Sequence, residues 1–282
     1  MIAIITDSTC DIPEELIAQY KIIVVPQYII WGGRQYKDRV DLQPNEFYER
    51  LVSEKVRPTT SQATEMDFKE AVENAVSQGA DNAIILTVSS AMSGTYQMAL
   101  AAAESAKIPV TVIDSKGPTM SLGWQVLTAA RARDAGADVS EIIEQIAKVR
   151  QNLVQIVAMD TLEYLEKGGR IGDAAKWIGT MLKVRPVVSI NHKTGKVQPE
   201  GLVRSRKGAV DMLYRKFFNS LGDINNFRIA VLHGDAIEDA HLLEGRIREA
   251  YEPLELIINI TGPVLGINTG PGALALCGYA EA

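Results

Sequence analysis

Four hydroxyl side chains crowd into the stretch Ser89-Ser90-Ala91-Met92-Ser93-Gly94-Thr95-Tyr96, namely Ser89, Ser90, Ser93 and Thr95. An apolar run, Ala83-Ile84-Ile85-Leu86-Thr87-Val88, leads into it, and an alanine-rich segment of helical character, 97–106, leaves it. A buried strand that hands over to a helix through small hydroxyl residues brings free backbone N–H groups, hydroxyls and the positive end of the helix dipole to one spot. That spot suits an anion, and the expected occupant is a carboxylate held by Ser93 and its neighbours. A serine before a helix is also an ordinary N-cap, but one cap needs one hydroxyl. Walker-type phosphate binding lacks its G-x-x-x-x-G-K spacing here, and the stretch is not a G-x-S-x-G elbow. A nucleophilic Ser93 would need a base, and His192, His233 and His241, the three histidines of the chain, are all distant in sequence.

Further polar clusters fall where strands are expected to end. Asp7-Ser8-Thr9 follows the apolar Ile2-Ala3-Ile4-Ile5, and Asp114-Ser115 follows Pro109-Val110-Thr111-Val112-Ile113. A hydroxyl-rich loop, Arg57-Pro58-Thr59-Thr60-Ser61-Gln62-Ala63-Thr64, has two readings: turns and ST-motifs, the commoner fate of such residues, or a mobile rim over a site. Arg170, Arg204, Arg206 and Lys207 make a basic group, with Arg170 after a helix cap and Arg204 inside an expected strand. Scattered histidines and single cysteines, with no H-x-x-x-H or C-x-x-C, argue against a metal site. The glycines at 266–272 lack the dinucleotide fingerprint.

The elements that must position these groups alternate strand and helix. Strands are expected at 2–6, 22–25, 83–88 and 109–113. Helices are expected at about 13–20 with Asp11 as N-cap, at 44–54, and from a Thr64–Asp67 capping box to 77. Two more follow near 119–135 and 140–151, the second capped by Ser140. Tyr28-Ile29-Ile30-Trp31 and Gln35-Tyr36 flank Gly32-Gly33 as a hairpin. The alternation predicts a parallel α/β sheet, whose ligands gather at the carboxyl ends of its strands, so the three polar clusters are expected to converge. From about 153 the pattern changes. Strands at 153–159, 186–190, 197 onward, 227–233 and 254–260 mix with helices at 161–167, 174–182, up to 219, and 236–250. The segment 261–273, rich in glycine and bearing two prolines, closes the chain. The change of pattern marks a candidate domain boundary near 152–160, and the length suits one large domain or two of ordinary size.

At 282 residues, 46% of them apolar, the chain can bury a large core. A net charge of −6 argues against non-specific nucleic-acid binding. No apolar run is long enough to span a membrane as a helix, and no signal peptide opens the chain. Two distant cysteines, Cys10 and Cys277, fit a reducing compartment, so a soluble cytoplasmic protein is expected.

The sequence resembles the DegV family, bacterial fatty-acid-binding proteins that partner a fatty acid kinase. The resemblance covers essentially the whole chain. It rests on Thr6-Asp7-Ser8-Thr9, Pro58-Thr59-Thr60-Ser61-Gln62, the 89–96 stretch, Asp114-Ser115, Leu165-Glu166-Lys167-Gly168-Gly169-Arg170-Ile171, Val203-Arg204-Ser205-Arg206-Lys207 and Gly270-Pro271-Gly272-Ala273. It implies two α/β domains, a Rossmann-like parallel-sheet domain, 1–155, bearing the hydroxyl site, and a mixed-sheet domain, 156–282, contributing to the acyl-chain pocket. It also implies a lipid-binding carrier rather than an enzyme, with no cofactor beyond a bound long-chain fatty acid of the palmitate or oleate class. The carboxylate would be held by Ser93, with Gly94 and Thr95, and by a hydroxyl of Thr60-Ser61. Arg204 and Arg170 would lie near the head group. Many members carry a histidine two residues before the G-P-G segment, where this chain has Asn268, a hydrogen-bonding side chain that cannot carry a proton. A fatty acid kinase subunit is the implied partner. A hydrolase or an acyl or phosphoryl transferase with Ser93 as nucleophile is the alternative. Burying roughly fourteen methylenes at about 0.8 kcal/mol each yields about 11 kcal/mol before association costs, so the tail should set affinity and the hydroxyls orientation.

Overall fold

The computed structural model describes residues 1–179 and 184–281. The chain opens with β1 (Ile2–Asp7), whose apolar run is buried on both faces, as suits an interior parallel strand. A short 3-10 turn at Ser8–Cys10 and α1 (Glu14–Gln19) lead to β2 (Ile23–Val25). The chain then leaves this sheet for an excursion. β3 (Tyr28–Trp31) and β4 (Arg34–Lys37) form the expected hairpin, with Gly32 at φ +59° and Gly33 at φ +79°, the doubly positive turn that suits two-residue hairpins. After α2 (Pro44–Ser53), β5 (Thr59–Ser61) pairs antiparallel with β3. α3 (Glu65–Ser77) starts from the expected Thr64–Asp67 capping box. β6 (Asn82–Thr87), α4 (Thr95–Glu104) and β7 (Val110–Asp114) complete a four-stranded parallel sheet of order β2-β1-β6-β7.

Two long helices, α5 (Met120–Asp134) and α6 (Val139–Asn152), cross to a second sheet. Its elements are β8 (Leu153–Ala158), α7 (Glu163–Gly168), β9 (Arg185–Asn191), β10 (Lys196–Val203), α8 (Arg206–Ser220) and β11 (Phe227–His233). The chain closes with α9 (Ile237–Ala250), β12 (Glu255–Ile260), α10 (Pro263–Thr269) and β13 (Leu274–Ala280). The order is β10-β9-β8-β13-β11-β12. The β11–β12 pair is parallel and the other pairs are antiparallel, so the sheet is mixed, as expected.

α5 is buried around almost its whole circumference because both of its sides are covered. It lies in one core with Ile4, Ile84 and Leu86 of the parallel sheet and Val188, Leu232 and Cys277 of the mixed sheet. Trp124 of α5 donates its indole N–H to the Cys277 carbonyl at 3.1 Å. α3 and α4 cover the other face of the parallel sheet, and α8 and α9 the other face of the mixed one.

Several local expectations are corrected. Asp11 does not cap α1. It adopts φ +49°, and its buried carboxylate accepts from Arg39 Nη2 and from the Gly262 N–H at 2.9 Å, leaving Pro13 at the cap position. Asp138, not Ser140, caps α6, because Glu141 stands at the third helical position and closes a capping box with it. The hydroxyl-rich 58–64 segment is no free rim, since β3 recruits three of its residues as β5. The expected helix 174–182 is a 3-10 helix, Gly172–Trp177, followed by a turn at 178–179, and its positions 180–182 lie outside the described residues. Arg204 falls just past β10 rather than inside it.

Candidate functional site

The carboxyl ends of β1, β6 and β7 do converge, and hydrogen bonds tie them together. Asp7, fully buried, accepts from Val88 N at 2.7 Å, Thr9 N at 3.0 Å, Thr9 Oγ1 at 2.6 Å and Gln27 Nε2 at 3.1 Å. Burial pushes the Asp7 carboxyl above the usual carboxylate range, against the pull of these donors. Its effect is to hold Thr9, Gln27 and Val88 side by side. On β7, Asp114 accepts from Ser90 N at 3.2 Å and pairs with Lys116 at 2.7 Å, which keeps its carboxyl below the usual range.

Three hydroxyls of the 89–95 stretch have different duties. Ser89 is buried and donates to the Gly195 carbonyl at 2.9 Å, docking the loop on the β9–β10 hairpin. Its own carbonyl accepts from Met92 N and Ser93 N, which folds the loop back on itself. Ser93 Oγ lies 2.9 Å from Thr95 Oγ1 and accepts from Thr95 N at 3.3 Å. Gly94 occupies the cap position of α4, where a Cβ would overlap the Gln62 side-chain amide, so glycine lets Gln62 close on the loop.

These groups border a cavity of about 470 Å³, within the range of small-molecule sites. One side carries Thr9, Gln27, Thr60, Ser61, Gln62 and Ser93. The opposite side is the mixed sheet, through Val157, Val188, Ile190, Val197, Leu232 and Ala275. The mouth is dressed by Arg170 and Asn268. Arg170 donates from Nε to the Met92 carbonyl at 3.0 Å and from Nη1 to the Gly168 carbonyl at 2.6 Å, fastening the chain after α7 to the Ser93 loop. Asn268 spends its amide N–H on the Val264 carbonyl at 2.9 Å, and its oxygen presses on Gly168, where a Cβ could not fit. Outside the mouth, a groove of about 200 Å³ shares Thr60, Arg170 and Asn268 with the cavity and adds Arg57 and Lys167. Both of these cations pair with Glu163.

The structure therefore gathers Ser93, Thr60, Ser61, Arg170 and Asn268 at one cavity. Gly94 and Thr95 support Ser93 from behind without lining the wall, and Arg204 is exposed and outside it. No histidine lines the cavity among the described residues, and the one hydroxyl partner of Ser93 is Thr95. Sequence reasoning missed Thr9, Gln27, Gln62, Thr119 and Gln155 in the wall. Thr9 and Gln62 stood inside motifs already singled out. Gln155 carried a signal too, as the single polar side chain within the apolar run of β8. Among the described residues no cluster of His, Cys, Asp and Glu could hold a metal ion, and no helix is long and apolar enough to cross a membrane.

A family model described as "Uncharacterised protein, DegV family" matches residues 1–281. A DegV domain-containing protein of Caldanaerobacter subterraneus subsp. tengcongensis is 35% identical over 273 residues, 96% of each chain. Another from Staphylococcus aureus is 31% identical over 281 residues, covering 99% of this chain and 96% of the relative. Among solved structures, a DegV family protein from Thermus thermophilus, described for its fatty acid binding, matches with a TM-score of 0.92 at 29% identity, covering 99% of both chains. DegV of Bacillus subtilis, described as a fatty acid binding protein, matches with a TM-score of 0.90 at 28% identity, again covering 99% of both.

Proposed function

The chain belongs to the DegV family, and from that premise we propose that it is a carrier that binds a long-chain fatty acid of the palmitate or oleate class. The observation that carries this reading is the pairing of an apolar cavity with a hydroxyl-lined mouth. The acyl chain lies against Val157, Val188, Ile190 and Ala275, and its carboxylate takes hydrogen bonds from Ser93 and from Thr60 or Ser61. Residues 1–155 thus supply the head-group hydroxyls, and 156–282 supply most of the apolar wall. Arg170 at the mouth offers charge beside the carboxylate without burying it.

The head group faces outward in this reading, so the carrier presents it to a fatty acid kinase for acyl phosphate formation in the cytoplasm. Arg204, exposed and away from the wall, suits contact with that partner. Cys10 and Cys277 are buried free thiols, compatible with a reducing compartment. The rival reading, Ser93 as a nucleophile, is weakened by Ser93's pairing with a second hydroxyl rather than with a base. Titration with palmitate or oleate should raise the Tm of the protein, by an increment that grows with the logarithm of free ligand above Kd. A ligand-free preparation with no shift would contradict the carrier reading. Covalent labelling of Ser93 by an acyl phosphonate would favour the rival.

A further inference from the structure

The cavity has a polar region that a carboxylate at the mouth does not explain. The cavity face of β8 and the residue after it runs Met159, Val157, Gln155, so Gln155 lies farthest from α7 on that strand, about 13 Å of chain from Met159. On β9, Val188 and Ile190 line the same wall, and His192 follows just beyond the end of the strand. Two wall residues in this region are polar and almost fully buried: Gln155, 2% exposed, and Thr119, 7% exposed.

A second layer holds them. Ser121 donates its hydroxyl hydrogen to Gln155 Oε1, and its oxygen also stands 2.8 Å from His192 Nε2. Burial pushes His192 down to about 4, so the ring is neutral at pH 7 and brings no charge to the region. Gln155 Nε2 donates to Thr119 Oγ1 at 3.3 Å. An amide nitrogen has two hydrogens, and among the described residues Thr119 is the acceptor for one of them. The Thr119 hydroxyl accepts there and has no acceptor of its own among the described residues. Two hydrogen donors therefore remain unmatched at the edge of an otherwise apolar wall, which buried polar groups rarely tolerate. Thr119 also adopts φ +54° and ψ −137°, a region a β-branched residue scarcely visits, so its surroundings hold its backbone there.

We infer that Thr119 and Gln155 form a second subsite that accepts an oxygen carried on the acyl tail, a hydroxyl or keto group, so that the cavity favours oxygenated fatty acids. The inference rests on the fatty-acid reading above and adds the chemistry of the tail to it. A plain hydrocarbon passing this point leaves both donors unpaired. A tail oxygen accepts from both, and a site built around donors discriminates against the ligand that lacks the acceptor.

The test measures Kd for palmitate, ω-hydroxypalmitate, stearate and a mid-chain hydroxystearate by displacement of a fluorescent fatty acid. Wild type should bind at least one hydroxylated acid about tenfold more tightly than its parent. Gln155→Met, similar in length and without donors, should abolish that preference, so that each hydroxylated acid and its parent bind within about twofold of one another whatever the shift in palmitate Kd. If Gln155→Met fails to fold, Thr119→Val carries the same comparison. Tight palmitate binding with no preference for either hydroxylated acid overturns the subsite and leaves the fatty-acid reading standing. Failure of wild type to bind any of the four acids overturns both.

Discussion

Ala275→Phe is the sharpest perturbation of the cavity. Ala275 sits on β13, the strand enclosed between β8 and β11, opposite Val157 on one side and Leu232 on the other. All three residues face the cavity. Strand alternation leaves a larger side chain at 275 no outlet except into that space. A phenyl ring there takes the room of several methylenes of the proposed acyl chain. Excluding about five, at about 0.8 kcal/mol each, removes about 4 kcal/mol of binding, roughly a thousandfold in Kd. The folded chain itself should not suffer, because an aromatic ring entering an apolar cavity replaces missing contacts. Palmitate titration by calorimetry, with Tm followed in parallel, separates the two effects. An Ala275→Phe protein that melts normally and binds palmitate as tightly as wild type would refute the assignment of the acyl chain to this cavity. Ala275→Leu gives the same comparison with less bulk, at a smaller expected loss.

Ser93→Ala should weaken palmitate binding by about ten- to a hundredfold, the loss of one hydrogen bond to a charged group, with the remaining affinity held by the tail; an unchanged Kd would remove Ser93 from the head-group site. Arg204→Ala, a surface change outside the wall, should leave Kd within about twofold while lowering acyl phosphate formation in a coupled assay with a fatty acid kinase; equal losses in both assays would contradict its role in presentation. Asp38 predicts a pH dependence. Burial lifts its carboxyl to about 7 in the folded chain, with Ser8 as its hydrogen-bond donor at 2.6 Å, against about 3.9 unfolded. Its stabilising contribution is therefore complete below about pH 4 and is lost as pH rises through about 7. Asp38→Asn stays neutral throughout, so its Tm relative to wild type should climb from about pH 4 to about pH 7 and level off above, and a constant difference would disprove the shift.

Much of the architecture was legible because apolar runs report burial directly. Ile2-Ala3-Ile4-Ile5, Ala83-Ile84-Ile85-Leu86 and Phe227-Arg228-Ile229-Ala230-Val231-Leu232 are strands in the structure, and the polar residues that end the first two converge as expected. The misses share a physical origin in distant partners. Asp11 has the side chain of a helix cap, but Arg39 and Gly262 claim it across the fold. Thr59-Thr60-Ser61 has no apolar residue to mark a strand, and only its pairing with Tyr28-Ile29-Ile30 makes it one. β13 contains Gly278 and small alanines, so its local preference is weak, although it stands inside the mixed sheet and is buried along its whole length. At the site, Ser93, Thr60, Ser61, Arg170 and Asn268 were legible through the motifs they share with a known family. Gln27 and Gln155 were not, because a lone glutamine becomes meaningful only when the surface it faces is known.

The most direct test of the carrier reading is native mass spectrometry of the purified protein. The account predicts a non-covalent adduct that is released on denaturation with the mass of a long-chain fatty acid, and that is lost or greatly reduced in Ala275→Phe. A wild-type spectrum of bare protein that gains no adduct after incubation with palmitate or oleate would contradict it.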